Sequence, residues 1–204
     1  VIFETNVFDI NMQTELIKKT IDKIANLSQQ EWDLVNNLFI EKTLEKNDYL
    51  LKEGEVCNFI GYVNRGTLIY FRLTENGTEM TTDFAFATDW VTDNRSRLKS
   101  APSFINIKAI EKTELLIISN QGLLDNFNRI PGLERVGRIL TEQAFIKISQ
   151  QSIDLQTMTA TGRYDKMLHE YPEIFQKVPL FHIANYLGIA PKSLSRIRKQ
   201  SLKR

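Results

Sequence analysis

Between Leu180 and Lys199 the chain reads LFHIANYLGIAPKSLSRIRK, and this stretch constrains the fold more tightly than any other. Two short helical patterns meet at Gly188. Ile183, Ala184 and Leu187 fall at i, i+1 and i+4 and make an inward stripe on the first. Leu194 and Ile197, three apart, do the same on the second, and Ile189 plugs the turn. Ala184 is small where two steeply packed helices cross closely. Gly188 can take the left-handed backbone that ends the first helix, and Pro191 suits the first turn of the second, where its missing N–H is not needed. The opposite face of that second helix carries Lys192, Ser195, Arg196 and Lys199, a row of donors with no carboxylate in it. One face buried to set the angle and one carrying donors for base edges and phosphates is what a helix-turn-helix requires. An ordinary αα-hairpin with a solvated basic face has the same local pattern, so the wider chain must decide.

The net charge of +1 over 204 residues is unevenly distributed. From Thr159 onward nine Lys/Arg face three acids, a net of +6, while the first 158 residues carry a net of −5. A basic end on an acidic body suits a polyanionic partner; a solvated basic tail is the plain alternative. At 42% hydrophobic, the chain is long enough for one large or two small domains with real cores. A single cysteine, Cys57, rules out an internal disulfide or an all-cysteine iron–sulfur cluster within one chain, and its apolar neighbours Val56, Phe59 and Ile60 read as packing. His169 and His182 lack partners at metal-ligand spacing, and no nucleophile–base pair or paired acids appear. No metal site, cofactor or enzyme activity is expected. Neither a signal pattern nor an apolar run near the roughly 20 residues of a membrane span is present, so a cytoplasmic protein is expected.

Taken in order, residues 1–12 are an arm or a short strand. Residues 14–26 read as a helix capped by Thr14, and a second helix starts at Ser28, whose Glu31 three residues on completes a capping box. Trp32, Val35, Leu38 and Phe39 follow at helical spacing. From Thr43 to about Ile118 short β-rich runs predominate: 49–51, 59–63, 67–73, 79–86, 104–110 and 114–118. Asn76-Gly77 between two of them signals a hairpin, since both residues tolerate positive φ. So many short strands predict a small antiparallel barrel or jelly roll whose interior can hold a ligand. A short helix over 120–129 and a long one over 132–157 come next. Ile139, Ile146 and Ile153 recur every seven residues in the long helix, with Leu133 and Leu140 on a second line. Apolar residues on two sides predict one side on the barrel and the other on a twin helix, the geometry of a two-stranded coil. A long helix buried inside one monomer is the alternative.

Arg163-Tyr164, Tyr171-Pro172, Val178-Pro179-Leu180, Ile183-Ala184, Tyr186-Leu187-Gly188-Ile189 and Ser195-Arg196-Ile197-Arg198-Lys199 together carry a resemblance. Lys52-Glu53-Gly54-Glu55 and Asn76-Gly77 support it more weakly. The chain resembles, from about Leu27 onward, the Crp/Fnr family of bacterial transcriptional regulators, typified by the cyclic AMP receptor protein and the fumarate–nitrate regulator. The resemblance implies an α+β protein with three parts. These are a cyclic-nucleotide-binding-like β-barrel effector domain (1–131), a dimerisation helix (132–158) and a helix-turn-helix DNA-binding domain (159–204). It implies that the first turns of the recognition helix read bases. Arg196 would offer a bidentate fork to guanine, Lys192 a less directional donor, and Ser193, Ser195 and Lys199 contacts to phosphate.

The sensor positions depart from the family's pattern. Where cyclic-nucleotide-binding relatives place a Gly-Glu pair this chain has Thr92-Asp93, and where they place Arg-Ser/Thr it has Ser103-Phe104. A buried phosphate needs a cation, and Ser103-Phe104 supplies none. Arg95, Arg97 or Lys99 could substitute from the loop, although nothing in the sequence places them inward. Cyclic AMP or GMP bound in the usual way is therefore not expected, and the cysteine cluster of oxygen-sensing relatives is missing. The reading is a homodimeric regulator on a palindromic double-stranded DNA operator, with room among its partners for RNA polymerase and an unidentified small-molecule effector. The rival is a ligand-binding or protein-interaction module whose helical end no longer binds DNA.

Overall fold

The computed structural model describes residues 7–201. The chain opens with α1 (Val7–Asp22) and α2 (Gln29–Asn36). Eight strands follow: β1 (Ile40–Leu44), β2 (Tyr49–Leu51), β3 (Phe59–Arg65), β4 (Leu68–Leu73), β5 (Glu79–Ala85), β6 (Trp90–Val91), β7 (Asn106–Ala109) and β8 (Thr113–Ser119), with α3 (Asn94–Lys99) between β6 and β7. The helices α4 (Asn120–Phe127), α5 (Pro131–Thr157), α6 (Ala160–Glu170), α7 (Ile174–Lys177), α8 (Leu180–Tyr186) and α9 (Pro191–Ser201) complete the order.

The strands form two four-stranded antiparallel sheets, ordered β1-β8-β3-β6 and β2-β7-β4-β5, which is a jelly roll. Along β4 the side chains alternate, with Leu68 in the core between the sheets and Ile69 outside it. Both outer faces are covered. Tyr62, Leu116 and Ile118 of the first sheet pack against Ile17 and Ile21 of α1, Trp32 and Val35 of α2, and Leu133 and Val136 of α5. Ile69, Phe71 and Phe84 of the second share a core with Tyr164, Ile183, Leu187, Leu194 and Ile197 of the C-terminal helices. The helix-turn-helix is thus seated on the barrel of its own chain.

Several local expectations need correction. α1 begins at Val7, so Thr14 lies within a helix and does not cap one, and residues 7–12 are helical; residues 1–6 lie outside the described residues. α2 stops at Asn36, and Phe39 leads into β1 instead of extending the helix. The capping box is present, with the Glu31 N–H donating to the Ser28 hydroxyl and the Ser28 N–H donating to the Glu31 carboxylate at 2.9 Å. The β4–β5 hairpin closes with only Gly77 at positive φ (75°), as in a longer loop in which one residue is left-handed; Asn76 does not need that conformation. The barrel interior is filled. Leu51, Val63, Leu68, Ala85, Val91, Ile107, Ala109 and Leu115 pack it almost free of solvent, which removes the space expected for a ligand there.

Candidate nucleic-acid interface and effector pocket

The turn between α8 and α9 is built as its composition demands. Gly188 sits at φ +66°, and the Ile189 N–H donates to the Ala184 carbonyl at 3.0 Å. Ala184, with no exposed surface, lies where the helices cross. Arg163 clamps the turn from α6, donating to the Met158 and Leu187 carbonyls at 2.7 and 2.8 Å. On α9, Leu194 and Ile197 are buried while Lys192, Ser195, Arg196 and Lys199 are exposed and Ser193 is half-buried. Among the described residues, none of Lys192, Arg196 or Lys199 enters an ion pair. The Ser195 hydroxyl donates back to the Pro191 carbonyl at 3.1 Å, which leaves its lone pairs outward. Arg198 is turned from that row, its guanidinium 4.3 Å from the Phe175 ring centre.

The underside of the head rests on β5. The His182 Nδ1 and Thr81 hydroxyl are 2.6 Å apart in a buried contact, and the Asn185 amide donates to the Glu79 carbonyl at 2.8 Å. Burial is the main cause holding the His182 pKa down to about 4. Phe84 and Tyr186 pack with ring centres 5.1 Å apart, and Lys147 of α5 pairs with Asp83 at 2.9 Å. Both histidines read as structural: His182 is part of this seat and His169 is on the helix surface.

Asp93 and Ser103 converge on each other, and Thr92 turns to a different partner. The Ser103 hydroxyl donates to the Asp93 carboxylate at 2.8 Å, and the other Asp93 oxygen caps α3 through the Ser96 N–H at 3.1 Å. The Thr92 hydroxyl donates to the Phe59 carbonyl at 2.8 Å. Phe104 lies outside, half exposed, beneath the Arg95 guanidinium at 3.6 Å. Cys57 is buried. Arg97 is also buried, bonded to Asn120 and Asn94 at 3.0 and 3.1 Å, and lines a cavity under α4 and α5. The sequence held no signal for that placement, because Arg95, Arg97 and Lys99 alternate as surface residues do.

On α5, Phe145, Ile146, Ile148, Ile153 and Leu155 are each more than half exposed, whereas Leu133 and Val136 in its first turns are buried. Ile139 is half-buried. Among the described residues no helix is long and apolar enough to cross a membrane, and no group of His, Cys, Asp or Glu side chains gathers as a metal site would.

A jelly roll joined by one long helix to a helix-turn-helix defines the class, and the sequence profile of the cyclic nucleotide-binding domain matches residues 41–129. The sequence and fold are similar to those of known bacterial regulators. It is 26% identical to the anaerobic regulatory protein of Haemophilus influenzae, over 84% of this chain and 70% of that one. It is 24% identical to the fumarate and nitrate reduction regulatory protein of Escherichia coli, over 84% of this chain and 72% of that one. Its fold matches FixK2 from Bradyrhizobium japonicum with a TM-score of 0.68 at 19% identity, covering 79% of this chain and 83% of that one. The chain spans about seven tenths of the length of these two curated relatives.

Proposed function

We propose that the protein is a homodimeric, sequence-specific DNA-binding transcription regulator of the cytoplasm, with no catalytic role. The observation that carries this is α9: its apolar stripe is buried while Lys192, Arg196 and Lys199 stand exposed without an ionic partner. Arg196 reads guanine, Lys192 assists, and Ser193, Ser195 and Lys199 hold phosphates. The exposed apolar length of α5, including Ile146 and Ile153 and extended by Ile139, forms the seam with a second copy. That seam sets two recognition helices in successive major grooves of a palindromic operator. The barrel (1–131), seam helix (132–158) and head (159–204) are its three working parts. Effector control, where it operates, shifts the seam angle and with it the spacing of the heads.

The sensor does not take cyclic AMP or GMP in the usual manner. Asp93 and Ser103, at the positions of the family's ribose and phosphate contacts, are bonded to each other, and among the described residues no cation pairs with Asp93. The test is binding to random-sequence duplex DNA as salt is raised. Affinity should fall steeply with salt, and the Lys199→Ala chain should show a slope smaller by about one. Binding that is weak and indifferent to salt and to Lys199 would favour the rival, a module that has lost its DNA.

A further inference from the structure

The cavity under α4 and α5 has a volume of about 480 Å³, within the range of small-molecule sites. Ile60, Trp90, Ile118, Leu123, Phe127 and Leu140 are among its apolar lining. Two of the residues that line it each hold a buried donor with no hydrogen-bond partner among the described residues, the indole N–H of Trp90 and the Nε–H of Arg97. Arg97 is only 8% exposed, and its other two nitrogens donate to neutral amide oxygens of Asn120 and Asn94. No carboxylate forms an ion pair with it among the described residues. A guanidinium buried against amides alone lacks the counter-charge that normally offsets its desolvation.

We propose that this cavity is a binding site for an amphipathic monocarboxylate, its head on Arg97 and the Trp90 N–H and its apolar body under α4 and α5. The vacant Nε edge of Arg97 suits a carboxylate. Glu134 and Glu142 at the cavity edge, the latter paired with Arg138 at 2.8 Å, disfavour a nucleotide or another polyanion. The site is separate from Asp93 and Ser103, and it does not depend on DNA binding. Its occupant would bridge α3, α4 and the first turns of α5.

The probe is decanoate below its micellar concentration, with decanol as the neutral control. Binding to the full chain is followed by calorimetry and by Trp90 fluorescence in a Trp32→Phe background. Decanoate should saturate at one molecule per chain, and Arg97→Gln should weaken it at least about tenfold while leaving decanol unchanged. Gly137→Leu fills the cavity from α5, where an added Cβ meets only the Phe127 ring at 3.6 and 3.7 Å, and should abolish binding of both. Should Arg97→Gln fail to fold, the preference for decanoate over decanol and the Gly137→Leu result still decide. Equal affinity for decanoate and decanol, no saturable binding to the folded chain, or unchanged decanoate binding by Gly137→Leu would each overturn the proposal.

Discussion

The outer row of α9 and the Asp93–Ser103 pair are both polar groups held on a packed scaffold, but they differ in what surrounds them. On α9, Lys192, Arg196 and Lys199 are exposed and enter no ion pair among the described residues. In the barrel, the Asp93 carboxylate and the Ser103 hydroxyl satisfy each other, beside an interior filled with aliphatic side chains. Buried polar groups find partners, as Asp93 and Ser103 do, whereas the exposed cations of α9 are solvated and need none.

The largest expected effect comes from the seam that presents two copies of the open row. Ile146→Asp with Ile153→Asp should leave the folded chain within about 0.5 kcal/mol of the parent, because both side chains are exposed in one copy. It should yield monomers by sedimentation and reduce affinity for a two-half-site operator roughly 10²–10⁴-fold. A variant that remains dimeric would remove α5 from the account.

Next comes Arg196→Ala. It should cost about 1–3 kcal/mol on the preferred operator and relax the base preference at one position, read by competition between related duplexes. An equal loss on all sequences would reassign Arg196 to phosphate.

Asp93→Ala tests the closed site. It removes the α3 cap, while the Ser103 hydroxyl keeps the Ile105 carbonyl as its acceptor at 2.9 Å, so stability should drop by about 1 kcal/mol. Millimolar cyclic AMP should leave the melting temperature of the parent chain unchanged, since a ligand that does not bind cannot stabilise. A clear upward shift would reopen the pocket.

How much of this contrast was legible depended on distance along the chain. The α9 row and its buried stripe lie within single turns, so a period of 3.6 exposed them. The Asp93–Ser103 bond spans ten residues across a loop whose path the sequence does not reveal, and the His182–Thr81 contact joins residues 101 apart. β6 escaped notice because two residues cannot show a period. β1 escaped because four of its five side chains are exposed and only Leu44 is buried. α1 was placed too late because Thr14 looks like a cap while its backbone continues a helix already begun at Val7.

The smallest effect concerns the seat of the head. Burial keeps His182 neutral down to about pH 4, against an ordinary value of 6.5, with Glu79 opposing and Lys108 assisting. The unfolded chain therefore takes up this proton first. Its contribution to stability is level above about pH 7 and is lost as pH falls from 6.5 toward 4. Between pH 7 and 5.5 that amounts to about 1 kcal/mol, and His182→Gln should remove that part of the slope in denaturant titrations.

The central claim is a dimer that reads DNA without a cyclic nucleotide. Its most direct test is selection from a random duplex library at near-physiological salt, with no ligand added. The account predicts a recovered palindrome whose half-sites lie one helical turn apart. A palindrome recovered only when cyclic AMP is present, or no motif under any metabolite mixture, would contradict it.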